Sequence, residues 1–443
     1  MAYIPHTDED RAEMLATIGV GSLEDLFNDI PEAMRLHEPL NLPRSHDEHS
    51  LVGRLRCLSE KNRSDLCCFL GAGVYDHYIP ATVGTVLSRG EFLTSYTPYQ
   101  PELSQGYLQA IYEFQSMVCE LTGMDVANAS MYDGGTALAE AALLAAGTSG
   151  RDVVVASEGV HPHYRQIVKT FCWSAGLQYR EVGLSDGITP AEANLEGVAC
   201  LLFQQPNFLG LLEDVGTLTS RVQTAGGLSV CCADPFALGV LRPPGEFGVD
   251  IVVGEAQALG SPMGFGGPGL GLFAVREALV RRLPGRVVGM TKDADGRRGF
   301  VMTLRTREQD IRREKATSNI CTNQALVALA ATVYLSALGK TGFRRVAEAC
   351  IQNAHYAAER LGTVPGVELR FPARRFAYEF VLKLPRPAVA VRDALLQEGY
   401  LAGLPLGDYY QDMDDCLLTC VTEVRTKDEI DSFVEAVRKA VRP

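Results

Sequence analysis

Between residues 65 and 320, short apolar runs alternate with helical stretches, and this alternation limits the possible folds more than any other feature. "RDVVVASEG", "VACLLFQQPN", "LSVCCADP", "VDIVVGEA" and "GLGLFAV" are apolar or β-branched runs bounded by Gly, Pro, Asn or Asp. "ALAEAALLAAG" and "YRQIVKTFCWSAG" lie between them with helical texture. Apolar strands interleaved with helices predict an α/β protein with a mostly parallel sheet covered on both faces. From residue 325 the texture changes. "ALVALAATVYLSAL" opens a long helix, too short in its apolar part to span a bilayer and suited to a core. A smaller unit follows: helix "FRRVAEACIQNAHYAAERLG", strand "AYEFVLKL", helix "AVAVRDALLQEG", strand "CLLTCVTE" and helix "TKDEIDSFVEAVRKAV". The predicted division is a helical arm over 1–64, a large α/β domain over 65–324, and the long helix with a small α/β domain over 325–443.

The arm is read from its caps. "TDEDRAEMLATIG" starts at Thr7 or Asp8 and stops at Gly19, "SLEDLFNDI" repeats the pattern, and the proline-bearing "IPEAMRLHEPLNLPRS" is expected to be extended. A formal net charge of −13 argues against nucleic acid and anionic membrane surfaces as partners. "MAYIPHTDEDRAEML" is acidic and lacks the apolar core of a secretory signal. The twelve cysteines show no zinc spacing, and two pairs are adjacent (Cys67-Cys68, Cys231-Cys232), which suits a reducing compartment. A cytoplasmic protein is expected.

Several short motifs carry chemistry, each beside a plainer reading. "GFGGPG" (264–269) has the spacing of a dinucleotide loop, but Pro268 lies inside it and a strand, not a helix, follows; a tight glycine hairpin accounts for it better. "GKT" (339–341) lacks the first glycine of a phosphate loop, with Tyr334 in its place. Gly134, Gly135 and Thr136 open a helix whose free amides can hold an anion, or Thr136 simply caps that helix. Asp234 ends an apolar strand, where open α/β sheets bind ligands; its carboxylate can pair with a pyridinium nitrogen or serve only as a turn residue. His161 in "HPHY" can stack on a flat ring or merely enter a helix, and two alternate histidines make no metal site. "SYTPYQPELSQG" (95–106) brings tyrosine hydroxyls to a loop. In "REKATSNICTNQ" (313–324), basic residues precede Thr317, Ser318 and Asn319, a set able to grip phosphate or to cap the next helix.

Taken together, "TSYTPYQPELSQG", "ELTGMDVANASMYDGGTALAEA", "LRPPGEFGVDIVVGEAQALGSPMGFGGPG" and "TREQDIRREKATSNICTNQAL" closely resemble the glycine cleavage system P-protein family. The resemblance is to the N-terminal-half type, in many bacteria a separate chain called subunit 1 or alpha, and it covers nearly the whole sequence. It implies the fold-type-I pyridoxal-phosphate-dependent transferase fold. It also implies a glycine dehydrogenase (aminomethyl-transferring), an oxidoreductase of two chains. With subunit 2 such a chain decarboxylates glycine and passes the aminomethyl group to the lipoyl arm of the H-protein, as an α2β2 heterotetramer. In the catalytic half a histidine-lysine-threonine motif precedes the glycine turn. Counting back from the shared "GGPG" places Gln257 at that lysine, between Ala256 and Ala258. An amide cannot form an imine, so the resemblance implies that subunit 2 holds pyridoxal 5'-phosphate and that this chain completes the partner's site. By that analogy Thr317, Ser318 and Asn319 reach the partner's cofactor phosphate, and Tyr96, Thr97, Tyr99 and Gln100 form the substrate-side wall. Gly134, Gly135, Thr136, His161 and Asp234 are then relics of this chain's own site. The alternatives are an independent pyridoxal-phosphate lyase or aminotransferase using Lys292 or Lys315, and a non-catalytic scaffold or regulatory subunit.

Overall fold

Thr7 and Gly19 bracket the first helix as their capping chemistry requires. In the computed structural model, which describes residues 5–95 and 97–442, α1 (Asp8–Ile18) begins with a capping box between Thr7 and Asp10 and ends at Gly19 in the left-handed region. "SLEDLFNDI" does not continue as a second helix; it makes a single 3-10 turn over Glu24–Phe27, and another turn covers Glu32–Met34. The proline at 31 and the Asn28-Asp29 pair favour turns over helix propagation. The sequence reading passed over α2 (Glu48–Ser59), which Asp47 caps through the Ser50 amide at 2.9 Å. Met1–Ser64 form one compact unit and Asp65–Pro443 a second. No described residue of the first unit is buried.

The second unit opens with β1 (Cys67–Cys68), α3 (Ala81–Leu87), α4 (Gly90–Leu93) and α5 (Gln105–Thr122). Its central sheet contains β2 (Val126–Ala127), β3 (Val153–Ser157), β4 (Gln178–Val182), β5 (Val198–Gln205), β6 (Leu228–Ala233), β7 (Ile251–Glu255) and β8 (Gly271–Val275). The spatial order is β2-β8-β7-β6-β5-β3-β4. Strands β4, β3, β5, β6 and β7 run parallel, whereas β8 and β2 are antiparallel to their neighbours. The period of two in a strand divides the apolar side chains between two cores. Val155, Leu201, Phe203, Cys231 and Ala233 face one, which includes α5 and α8 (Val215–Thr224). Val154, Ala156, Cys200, Leu202, Val230 and Cys232 face the other, with α6 (Gly134–Ser149) and α7 (Pro162–Ser174). Helix α6 is alanine- and leucine-rich around most of its circumference, and most of its residues are buried.

After the sheet, β9 (Val287–Lys292) and β10 (Arg298–Thr303) form an antiparallel hairpin, followed by α9 (Gln309–Arg312) and irregular chain to Gln324. The long helix α10 (Ala325–Leu361) is two helices joined across a break at Gly339, whose φ of 61° and ψ of 177° belong to a region that side chains avoid. Its first part lies in the core, with Ala328, Ala330, Ala331 and Tyr334 buried. The C-terminal part pairs β11 (Glu368–Leu369), β12 (Glu379–Lys383), β14 (Leu404–Pro405) and β15 (Cys416–Cys420) in the order β11-β12-β15-β14. It is completed by α11 (Ala388–Gln397), β13 (Tyr400–Leu401), which pairs with β1, and α12 (Lys427–Ala440). Replacing Gly339 with alanine is expected to cost about 1–3 kcal/mol and to lower the thermal midpoint. A matched Lys340→Ala change, beside the break but outside the strained region, should leave it nearly unmoved in the same calorimetric scan.

Candidate functional site

Open α/β sheets place ligands beyond the carboxyl ends of their strands, and there β3, β5, β6 and β7 surround a cavity of about 50 Å³. Asp234 follows β6 directly. One of its oxygens accepts the Ala237 amide at 3.0 Å, and the other accepts the hydroxyl of Tyr378 from the C-terminal part. Burial raises the Asp234 pKa, and the Tyr378 hydrogen bond opposes that rise. Glu255, the last residue of β7, is more heavily engaged. Its Oε2 accepts the Gly134 amide at 2.9 Å, while Oε1 accepts the Gln257 amide at 2.8 Å and the Leu270 amide at 2.7 Å. Burial raises its pKa too, against the pull of these amides. The carboxylate therefore sits at the N-terminus of α6, where the helix dipole favours an anion.

Asp133, not Thr136, is the cap of α6: its carboxylate accepts the Thr136 amide at 2.7 Å and Thr136 returns the bond. Gly134 and Gly135 are covered closely. A Cβ on Gly134 would lie 2.9 Å from the Tyr164 hydroxyl, and one on Gly135 would lie 2.6 Å from Ile167. His161 caps α7, as the helix-entry reading has it. Its Nδ1 accepts the His163 amide at 3.1 Å, so the ring proton is on Nε2 and is donated to the Ala72 carbonyl at 3.0 Å. Burial pushes its pKa down to about 4, which keeps the ring neutral. Tyr164 occupies the stacking position on the imidazole, with centroids 4.7 Å apart and planes 23° from parallel. Glu379 completes the lining, accepting the Ala72 amide at 2.6 Å and the Tyr75 hydroxyl at 2.9 Å, and burial pushes its pKa up to about 7.

These residues do not fit pyridoxal phosphate. The position for an anion holds Glu255, the acid suited to a ring nitrogen holds Tyr378, and the histidine that would stack on the ring holds Tyr164. Ligand pockets of cofactor size span ~300–1,000 Å³, far more than the cavity offers. Gln257 is 8% exposed, donates its amide to the Ser261 carbonyl and does not line the cavity. Lys292 and Lys315 are exposed and do not line it either. The relic assignment of Gly134, Gly135, Thr136, His161 and Asp234 thus falls on one place in the fold, and the ring-stacking and anion-binding roles are filled from within the chain.

The other expected residues lie elsewhere. Thr317 and Asn319 are exposed and Ser318 is half-buried, its hydroxyl accepting the Ile320 amide at 3.2 Å. They do not cap α10, which begins six residues after Asn319 at Ala325 behind Gln324, without a side-chain cap. Thr97 accepts the Tyr99 amide at 3.3 Å, and Gln100 is exposed. Tyr96 lies outside the described residues. The Tyr99 ring lies beneath the Arg286 guanidinium, 5.7 Å from centroid to carbon, which joins the tyrosine loop to the 304–324 segment. Sequence reasoning missed Glu255, Tyr378 and Arg286. Only Glu255 left a signal, an acid at the end of an apolar strand two residues before the glutamine.

The fold is that of the fold-type-I pyridoxal-phosphate enzymes. Sphingosine-1-phosphate lyase from Burkholderia pseudomallei shares it at a TM-score of 0.66 and 16% identity, over 92% of each chain. A crystal structure of glycine decarboxylase (P-protein) of the glycine cleavage system, in inhibitor-bound form, is far nearer: TM-score 0.93 and 46% identity over 99% of this chain and 100% of the other. The family model described as glycine cleavage system P-protein matches residues 1–437, and the chain belongs to that family. Proteins called probable glycine dehydrogenase (decarboxylating) subunit 1 are 54% identical in Geobacillus kaustophilus, over 98% of this chain and 97% of the relative, and 50% identical in Moorella thermoacetica, over 99% of both.

Two expectations follow from the filled cavity. Gln257→Lys alone should leave the chain unable to capture the cofactor: after incubation with pyridoxal phosphate, borohydride and desalting, no pyridoxyl label should appear at position 257 by mass spectrometry. Glu379 holds its proton more tightly folded than unfolded, so its contribution to stability falls as pH rises from about 4.5 to about 7. Glu379→Gln should therefore gain on the native chain by up to about 3 kcal/mol between pH 5 and pH 8, read from denaturation at the two pH values.

Proposed function

We propose that this chain is the cofactor-free subunit of a two-chain glycine decarboxylase and acts by completing a site on subunit 2. One observation carries the reading: this chain's own cavity is filled by Glu255, Tyr378 and Tyr164, while Thr317 and Asn319 remain exposed. Pyridoxal phosphate, held covalently by subunit 2, supplies the electron sink that lets glycine lose its carboxyl group. Thr317 and Asn319 present hydroxyl and amide donors to the partner's cofactor phosphate and fix its orientation, while Ser318, between them, is turned inward to Ile320 and Glu140 and holds them in place. Tyr99, Thr97 and Gln100 wall the substrate side and limit its access to water. The aminomethyl group leaves on the lipoyl arm of the H-protein, in an α2β2 assembly of the cytoplasm.

The test compares isolated chains with the mixture. Neither chain alone should release labelled carbon dioxide from carboxyl-labelled glycine with H-protein and pyridoxal phosphate, whereas the two together should. Borohydride should then place the pyridoxyl label on subunit 2. In the assembled enzyme, Thr317→Ala and Asn319→Ala should each lower turnover or cofactor retention roughly tenfold or more, as expected for loss of hydrogen bonds to a charged group. Full activity of both variants would mean that the chain is only a scaffold, and label on a lysine of this chain would make it an enzyme in its own right.

A further inference from the structure

The segment that carries Thr317 and Asn319 is held by Ser318, Ile320 and Asn323. Ser318 meets the buried carboxyl of Glu140 on α6. Ile320 is 5% exposed and joins the core around α6. Asn323 donates to the Ser130 hydroxyl at 2.5 Å. Thr317 and Asn319, on either side of Ser318, are exposed, as a period of two over 317–320 requires.

One further anchor differs from the rest because it is a hub. Arg286, next to the β9 hairpin strand, is buried. Its Nε donates to the Cys321 carbonyl at 3.1 Å, two residues beyond Asn319. Nη1 pairs with Glu308, also buried, at the start of α9. The guanidinium carbon lies over the ring of Tyr99, 5.7 Å from its centroid. A single side chain thus joins the tyrosine loop, the 305–316 segment and the 317–324 segment. Arg307 lies close by, donating to the carbonyls of Leu283 and Gly285, and burial together with the nearby Arg286 charge lowers its pKa to about 10. Glu308 pairs with Arg286, whereas Arg307 is held by backbone carbonyls. Lysine could meet Glu308, but its donors all sit on one nitrogen, so it lacks the rigid fork whose separate nitrogens reach Glu308 and the Cys321 carbonyl from beside Tyr99.

We propose that Arg286 is a positioning residue for the catalysis of the two-chain enzyme: it sets the 317–319 segment and Tyr99 in one register, so that both reach the partner's site together. This inference rests on the cross-interface role given above to Thr317 and Asn319. Arg286 itself touches neither cofactor nor substrate.

The experiment uses the assembled two-chain enzyme stripped of cofactor and titrated with pyridoxal phosphate, read by the absorbance of the bound form. Arg286→Lys should raise the dissociation constant roughly ten- to a hundredfold, while assembly and the thermal midpoint stay near those of the native enzyme. Limited proteolysis within 304–324 should quicken in parallel. Arg286→Ala strands the Glu308 charge and can unfold the chain, so Arg286→Met with Glu308→Leu, which removes both charges, is measured beside it. This pair should show the same loss of cofactor affinity in a folded assembly. In any folded Arg286→Ala enzyme, millimolar guanidinium should restore affinity, an effect that a merely structural role would not give. Unchanged affinity in both Arg286→Lys and the double variant overturns the proposal. If Thr317→Ala and Asn319→Ala still weaken binding, the failure belongs to Arg286 alone; if they too bind normally, the cross-interface reading fails with it.

Discussion

The carboxylate of Glu255 is the constraint around which the interior of this chain is arranged. A buried carboxylate is costly unless several donors surround it, and Glu255 gathers three backbone amides: Gly134 at the start of α6, Gln257 in the turn after β7, and Leu270 before β8. These come from segments far apart in the chain, so one side chain ties the central helix to two adjacent strands. It also satisfies a free N–H at a buried helix N-terminus, a group that would otherwise require an anion or water.

Once that charge is supplied from within, the neighbouring arrangement follows. Tyr164 closes over Gly134 and Gly135 and stacks on His161, and Tyr378 reaches from the C-terminal part to Asp234. Tyr378 and Glu379 are consecutive at the start of β12, so one strand delivers both the hydroxyl that meets Asp234 and the acid that receives Ala72 and Tyr75. The lining of the cavity is thereby tied together by groups of the chain itself. Thr317 and Asn319, by contrast, are exposed, on a loop held from behind by Arg286 and Glu140. The two regions have opposite designs, one closed on itself and one presented outward.

Much of the sheet was legible in the sequence because β3, β5, β6 and β7 are covered on both faces and so read as unbroken apolar runs. The edge strand β4, "QYREV", has exposed and half-buried residues only and carries no such signature. The β9–β10 hairpin escaped for a similar reason, since its far end is exposed on both strands despite the "DADG" turn. The break in α10 at Gly339 falls in the "GKTG" stretch between the two helical segments that the sequence shows separately, "ALVALAATVYLSAL" and "FRRVAEACIQNAHYAAERLG". Asp234, His161 and the Gly134–Thr136 turn stand out in the sequence because strand ends and helix starts mark them. Tyr378 and Arg286 do not, because they act across sequence separations of 144 and 35 residues, to Asp234 and Cys321 respectively, which no local pattern encodes.

The internal hydrogen bonds of Glu255 have a thermodynamic corollary. A protein whose helix N-terminus is satisfied by a dissociable ligand gains stability in proportion to the logarithm of that ligand's concentration. Here the satisfying group is covalently part of the chain, so its effective concentration is fixed by the fold and cannot be depleted. The folding equilibrium of this polypeptide therefore needs no ligand at that helix end, because the carboxylate that completes the buried N-terminus arrives with the chain itself.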